Sequence, residues 1–387
     1  VFYHTEIELF KGGWLGVDIF FVISGYLISN IIISELNDNN FSFQNFYMKR
    51  IRRILPALFT TLLTTTTFVY FLLTPKAMLE YSNSLISSIF FYSNYYFENL
   101  DFYTAEATKF MPFLHTWSLA IEEQFYILFP FLTYILYKYL KQYFSYFILI
   151  FIFISIYLNS STIALEKFYM LEFRMWELLT GVILMILSSK YHLKHLEKIG
   201  AILLVFSVFY FDDDWINDIE PKLISITGIC LFIFSNDSNS KFTKVLMFKP
   251  IAFIGLSSYS IYLFHQPIYS MYLIYKRNNF YGDINSLEKI ILIFLILIIS
   301  YFSYVLVEKK LAYSNHTFSY LLTVVIVLIF FNLFVNKTDG KFSNLPLVDE
   351  KIYQTQLNYK NNFSKNSLNG SIKDCDSGAR RNYDNNF

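Results

Sequence analysis

Apolar residues in this chain gather into ten runs, at about 15 to 34, 55 to 74, 117 to 137, 143 to 159, 169 to 188, 199 to 211, 221 to 235, 251 to 275, 288 to 307 and 317 to 335. Most approach the roughly 20 residues that a helix needs to cross the hydrocarbon core of a bilayer. An eleventh run, Tyr81 to Phe97, is interrupted by Ser, Asn and Tyr and reads as interfacial or re-entrant. The chain opens at Val1 in what reads as the end of a truncated first span. After position 335 the pattern stops: residues 336–387 are rich in Asn, Lys, Ser and Asp and hold no sustained apolar period. The pattern predicts an all-α polytopic transmembrane helical bundle of about ten to eleven spans over 1–335. A polar extracytoplasmic tail, a linker toward a further domain, follows over 336–387.

Composition supports that class. At 55% hydrophobic, 21% aromatic and only 16% charged residues, the chain is too apolar for soluble domains of its size. The net charge of +1 says little, but its distribution orients the bundle. If Tyr81 to Phe97 does not span, one side collects Lys49, Arg50, Arg52 and Arg53, then Lys138 and Lys141, then the lysines near 190–198 and 241–249, then Lys309 and Lys310. The other side holds fewer cations and the acidic loop Asp212, Asp213, Asp214, Asp218, Glu220. The positive-inside bias assigns the first set to the cytoplasm and puts His4 on the outer side. A spanning Tyr81 to Phe97 would invert every later loop. Cys230 and Cys375 imply no disulfide framework, and Lys11-Gly12-Gly13 lacks the flanking strand and Ser or Thr of a phosphate-cradling loop. Nothing points to a metal site or to nucleic acid.

Several groups could carry chemistry. His4, beside the first span, suits a general base on a hydroxyl, or merely an interfacial hydrogen bond. Asp18 lies inside the apolar stretch VDIFFVISG, where a charge needs a partner or a cavity. Lys49, Arg50, Arg52 and Arg53 precede Pro56; guanidinium forks match phosphate oxygens, and the same cluster could equally anchor lipid headgroups. In HTWSLAIEEQFY, His115 and Trp117 precede Glu122 and Glu123, two consecutive carboxylates about a turn and a half into a span, which suits a proton relay or a structural network. Arg174 and Glu177 are spaced to neutralise each other, and His265 lies mid-span beside Pro267.

The blocks YH then FKGGWLGVDIFFVISGYLI, FYMKRIRRILPAL, HTWSLAIEEQFYILFP, FRMWELLTG, GLSSYSIYLFHQPIY and SYVLVEKK follow one another in order from Tyr3 to Lys310. Together they resemble the membrane acyltransferase 3 family, the O-acyltransferases of bacterial surface polysaccharides. The additional span at 317 to 335 and the outward tail resemble the branch in which a secreted SGNH-type domain follows the membrane part. The resemblance implies that His4 is the essential histidine, that Arg50 and Arg53 form the R-x-x-R motif with Lys49 and Arg52 assisting, and that Asp18 with Glu122 or Glu123 fill the acidic positions. It implies an acyl-CoA donor, most often acetyl-CoA, a surface glycan acceptor such as lipopolysaccharide or peptidoglycan, and residence in the bacterial inner membrane. His115, Trp117, Arg174 and His265 are expected in the surrounding substrate or polar network. The competing reading is a glycan or lipid flippase whose buried charges line a pathway.

Overall fold

The computed structural model describes residues 2–5, 7–100, 108–161, 168–191, 196–216, 218–235, 241–279 and 284–341, and among these there are helices and no strand. In chain order the helices are α1 Gly16–Asn37, α2 Phe43–Val69, α3 Pro75–Ile89, α4 Ser93–Glu98, α5 Thr116–Tyr139, α6 Phe144–Ser161 and α7 Leu171–Ser188. They continue with α8 Leu196–Tyr210, α9 Glu220–Ser235, α10 Lys241–Leu246, α11 Lys249–Leu256, α12 Ser258–Asn278, α13 Ser286–Ser303 and α14 Thr317–Lys337. A 3₁₀ segment, Glu8–Leu15, leads into α1, and a π-helical turn, Tyr304–Leu311, continues α13. Each predicted apolar run is largely helical, but the run 251 to 275 is divided at Ser257 between α11 and α12, and the run 55 to 74 outlasts α2, which ends at Val69. The tail beyond 341 and Cys375 lie outside the described residues.

Among the described residues, five stretches are long and apolar enough to cross a membrane by length and composition: Leu9–Asn37, Thr116–Tyr139, Lys141–Ser160, Ser286–Leu311 and Thr317–Lys337. The shorter or more polar helices are packed among them: α7 against α1 and α6, α9 against α8 and α1, α12 against α2 and α13. The result is a multi-pass membrane bundle. Its tightest seam is α1 against α7. A Cβ on Gly25 would overlap the Leu178 carbonyl, and one on Gly181 would overlap the backbone of Val22 and Tyr26, so the two backbones approach as only glycine permits.

Two expectations are refined. The start of α2 lies at Phe43, capped by Ser42, so the basic cluster belongs to the same helix as the following span. Its threonines, Thr60, Thr61, Thr66 and Thr67, turn their hydroxyls onto carbonyls four residues back, which lets a polar stretch stay helical in apolar surroundings. Where a truncated helix was expected, residues 2–5 form turns, and Phe10 breaks helical geometry at φ −116° and ψ 39°.

The segment Tyr81 to Phe97 turns back within the bundle. Helix α3 ends at Ile89, Phe91 takes a left-handed φ of 55°, and α4 returns until the Tyr96 hydroxyl donates to the Glu80 carbonyl at 3.0 Å. Gln124 on α5 donates to the Phe91 carbonyl and to Asn94 Oδ1, both at 2.9 Å, offsetting the strain of a non-glycine residue in that region. A cavity of about 20 Å³, room for one water, lies between this hairpin and α12. One apolar core gathers Leu62, Met78, Leu85, Leu263 and Leu328; the other gathers Phe21, Ile28, Ile121, Phe129 and Val182. Helices α2 and α5 contribute to both.

Candidate active site

Three histidines from distant parts of the chain meet at one end of α5. The His4 and His265 ring centroids are 5.1 Å apart, and those of His265 and His115 are 5.3 Å apart. The Tyr262 ring lies 5.2 Å from His115 and 5.6 Å from His265. The turn bearing His4 is tied down locally. Thr5 Oγ1 donates to the Phe2 carbonyl at 3.0 Å, Tyr3 donates to Asp213 at 2.8 Å, and Trp14 Nε1 donates to the Asp212 carbonyl at 3.3 Å. Gly12 rests on the carbonyls of Ser207 and Val208 at the end of α8, where a Cβ would collide. The acidic loop therefore holds the segment that carries the candidate base. Burial pushes the His4 imidazole down to about 4, so it is neutral at physiological pH.

The two other imidazoles are set by α12. The Nδ1 atom of His265 is 2.5 Å from the Tyr262 carbonyl oxygen. His115 is buried, and neither ring nitrogen completes a hydrogen bond; the carbonyls nearest to it are those of Pro112 and Leu263. Among the described residues no group of three or more His, Cys, Asp or Glu is arranged to hold a metal ion.

From this cluster a polar stripe descends α5. His115, Ser118, Glu122 and Tyr126 recur at helical spacing along one face, over about 16 Å. Ser118 Oγ lies 2.6 Å from the Tyr262 hydroxyl, which donates to the His115 carbonyl. The Glu122 carboxylate accepts from Ser24 on α1 and from Tyr126. At the far end, the Arg50 guanidinium stands 5.6 Å from the Tyr126 ring and 5.8 Å from that of Phe46, within the field of Glu122 and Glu123. Consecutive on the helix, the two glutamates diverge. Glu122 faces α1, while Glu123 has a buried Oε1 without a hydrogen bond and lies in the field of Arg50.

The basic cluster splits. Arg50 points inward, Lys49 pairs with Glu35 at 3.0 Å, Arg52 lies 5.4 Å from the Phe318 ring, and Arg53 stays exposed near Glu308. Arg53 is thus the exposed guanidinium of the R-x-x-R pair. Arg50 closes the floor of the glutamate cluster.

Asp18 does not face His4. Its Oδ1 takes a salt bridge from Arg174 Nη2 at 3.0 Å, and Arg174 Nε lies 3.1 Å from Glu177 Oε1, with all three side chains buried. Phe21, Trp117 and Phe168 enclose the guanidinium at 5.6 to 5.9 Å. Lys222, also buried, acts on Glu177 and completes a balanced set of two cations and two carboxylates. The reason is geometric. Asp18 is in the first turn of α1, on the α7 face, whereas His4 lies beyond a kinked 3₁₀ segment and meets α12. No carboxylate among the described residues acts on His4.

Sequence reasoning passed over Tyr262, Tyr259, Ser24, Tyr126, Lys222 and Glu308. Tyr259 donates to the Ile54 carbonyl at 3.1 Å and sits in the field of Glu122, Glu123 and Glu308. Glu308, on the π-turn, accepts from Ser260, whose Oγ also lies 3.0 Å from that of Ser303. Its signal was present, a carboxylate closing the apolar run SYVLVEKK. The tyrosines carried none, since this chain has 32.

An acyltransferase domain described by the Acyl_transf_3 family matches residues 12–305. The O-acetyltransferase OatA of Staphylococcus aureus is 30% identical over 336 residues, covering 80% of this chain and 54% of that protein. A second protein from that organism, the putative O-acetyltransferase SACOL0978, is 32% identical over 295 residues, covering 70% of this chain and 48% of its own length. The chain thus spans about half the length of the curated relatives it matches. No solved structure matches it. With the family's domain running from the 3₁₀ segment to the π-turn that closes the polar stripe, the chain belongs to the acyltransferase 3 family.

Proposed function

We propose that the chain is an integral membrane O-acyltransferase that moves an acyl group, acetyl by the names of its relatives, from acyl-CoA on the cytoplasmic side to a hydroxyl of a cell-surface glycan such as peptidoglycan or lipopolysaccharide. The observation that carries this reading is the stripe on α5. It joins a neutral imidazole cluster at one end to guanidinium groups at the other, through hydroxyls and carboxylates, over about 16 Å. The donor's phosphates dock on Arg53, Lys49 and Arg52, and its extended pantetheine arm carries the thioester toward the histidines. His4 takes the proton of the acceptor hydroxyl as its oxygen bonds to the thioester carbonyl carbon. The carbon–sulfur bond then breaks, and the leaving thiolate takes a proton from the imidazolium, returning His4 to its neutral form. On this reading the inner membrane holds the bundle, and the tail leads outward toward an SGNH-type domain.

His4→Ala tests it. Labelled acetyl-CoA supplied to inverted membrane vesicles should acetylate glycan with the parent chain, and should do so at background with the variant at equal inserted protein. Glycan export that fails while acetylation of exported glycan persists would make the protein a flippase and end the proposal.

A further inference from the structure

We infer that His265 is the positioning residue that sets the tautomer of His4 and steadies its charged form, an inference that rests on the acyl-transfer reading above. A general-base histidine needs an acceptor for its second ring N–H, a role that an aspartate fills in serine hydrolases. Here Asp18, in the first turn of α1, is committed to Arg174, and no carboxylate among the described residues acts on His4. The ring beside His4 is His265, at 5.1 Å between centroids and an interplanar angle of 50°. Two imidazoles joined N–H to N stand about 5 Å apart by centroid, given a hydrogen bond near 2.9 Å.

The backbone of α12 decides which nitrogen of His265 can accept. A ring nitrogen 2.5 Å from the Tyr262 carbonyl oxygen must carry the proton, because two lone pairs cannot face each other at that separation. Nδ1 of His265 is therefore the donor, and Nε2 keeps its lone pair. The same helix treats His115 alike. Pro267 has no N–H to give to the carbonyl four residues back, so the Leu263 carbonyl is released from the helical ladder on the side of His115. Two backbone carbonyls of one proline-bearing turn thus face the two imidazoles. Among the described residues, the charged and titratable groups facing His265 are His4 from the N-terminal turn, His115 from the start of α5 and Tyr262 from its own helix, with no carboxylate among them.

Acceptance by a neutral nitrogen stabilises imidazolium on His4 less than a carboxylate would, and leaves the resting base uncharged. When His4 takes the hydroxyl proton, its other N–H donates to His265 Nε2, and no further proton moves.

The test compares His265→Leu, which removes the acceptor, with His265→Gln, whose amide oxygen can stand near Nε2. Inserted protein and the acetyl-CoA KM should match the parent in both. For His265→Leu we expect kcat lower by on the order of a hundredfold, with the acid limb of its pH profile displaced to lower pH, because losing the acceptor disfavours imidazolium. His265→Gln should recover at least tenfold of that loss. A kcat within threefold of the parent for His265→Leu, or a fall with the acid limb unmoved and no recovery in His265→Gln, would overturn the inference. Neither result touches acyl transfer itself, which fails only if the parent chain does not transfer or His4→Ala still does.

Discussion

Arg174→Met would separate a structural from a chemical role for Asp18. The guanidinium is the nearest partner of two carboxylates, at 3.0 and 3.1 Å, and the side chains involved are 0 to 2% exposed. Removing one member of a buried pair costs about 3 to 5 kcal/mol, because the remaining charge stays desolvated. Three aromatic rings near the guanidinium add about 0.5 to 1 kcal/mol each. Methionine restores part of the volume, so the net loss should be near 5 kcal/mol.

Asp18→Asn in the same chain gives the control. With Arg174 absent, Asp18 is the surplus anion, since Glu177 keeps Lys222. The double variant should therefore regain about 2 to 3 kcal/mol over Arg174→Met, a coupling typical of groups in one ion-pair network. Thermal unfolding of the detergent-purified protein, followed by size exclusion, reads both values. Equal stability of Arg174→Met and the parent, or losses that simply add in the double variant, would refute the network. Asp18→Asn alone should retain acyl transfer per folded molecule; an inactive yet fully folded Asp18→Asn would return that residue to the chemistry.

Two shorter predictions follow. Burial holds His4 near 4, so the base is unprotonated above that value; kcat/KM should stay flat from about pH 5 to 8 and fall about tenfold per unit only below about 4, whereas a midpoint near 6.5 would mean a solvated base. A cysteine at the exposed Asn99, just after the returning α4, should react with an impermeant thiol reagent from outside intact cells, and labelling only after lysis would reverse the inferred orientation of the re-entrant hairpin.

What could be read from the chain follows a physical divide. Apolar run length favours helix, and the ten runs are helical for most of their length, although the run 251 to 275 is broken at Ser257. Even the re-entrant Tyr81 to Phe97 was legible, because its Ser and Asn need partners that lipid cannot offer. Pairings across the bundle were less accessible. Arg174 and Glu177 are adjacent on one helix and were foreseen as a pair, but the partnership of Arg174 with Asp18, 156 positions away, depends on the glycine contact between α1 and α7. The kink at Phe10 separates His4 from the α1 face that carries Asp18. His4, His115 and His265 were each singled out, yet nothing local in sequence says that three apolar segments bring them together.

At that meeting point no carboxylate among the described residues acts on His4. An anion beside His4 would favour imidazolium and raise its affinity for protons; at neutral pH part of the base would then be spent before the acceptor arrived. Placing Glu122 about two turns down α5, bonded to Ser24 and Tyr126 and facing Arg50, keeps negative charge away from the imidazoles. It also leaves a counter-charge close to the guanidinium groups when no phosphate is present. Donor phosphates arriving at Arg53 would compete with Glu308 for that cation, while Arg50 remains held by Glu122 and Glu123. The two arginines of the R-x-x-R motif therefore differ in kind. On the proposed reading Arg53 would exchange Glu308 for the donor, while Arg50, beside Phe46 and Tyr126, would stay with Glu122 and Glu123.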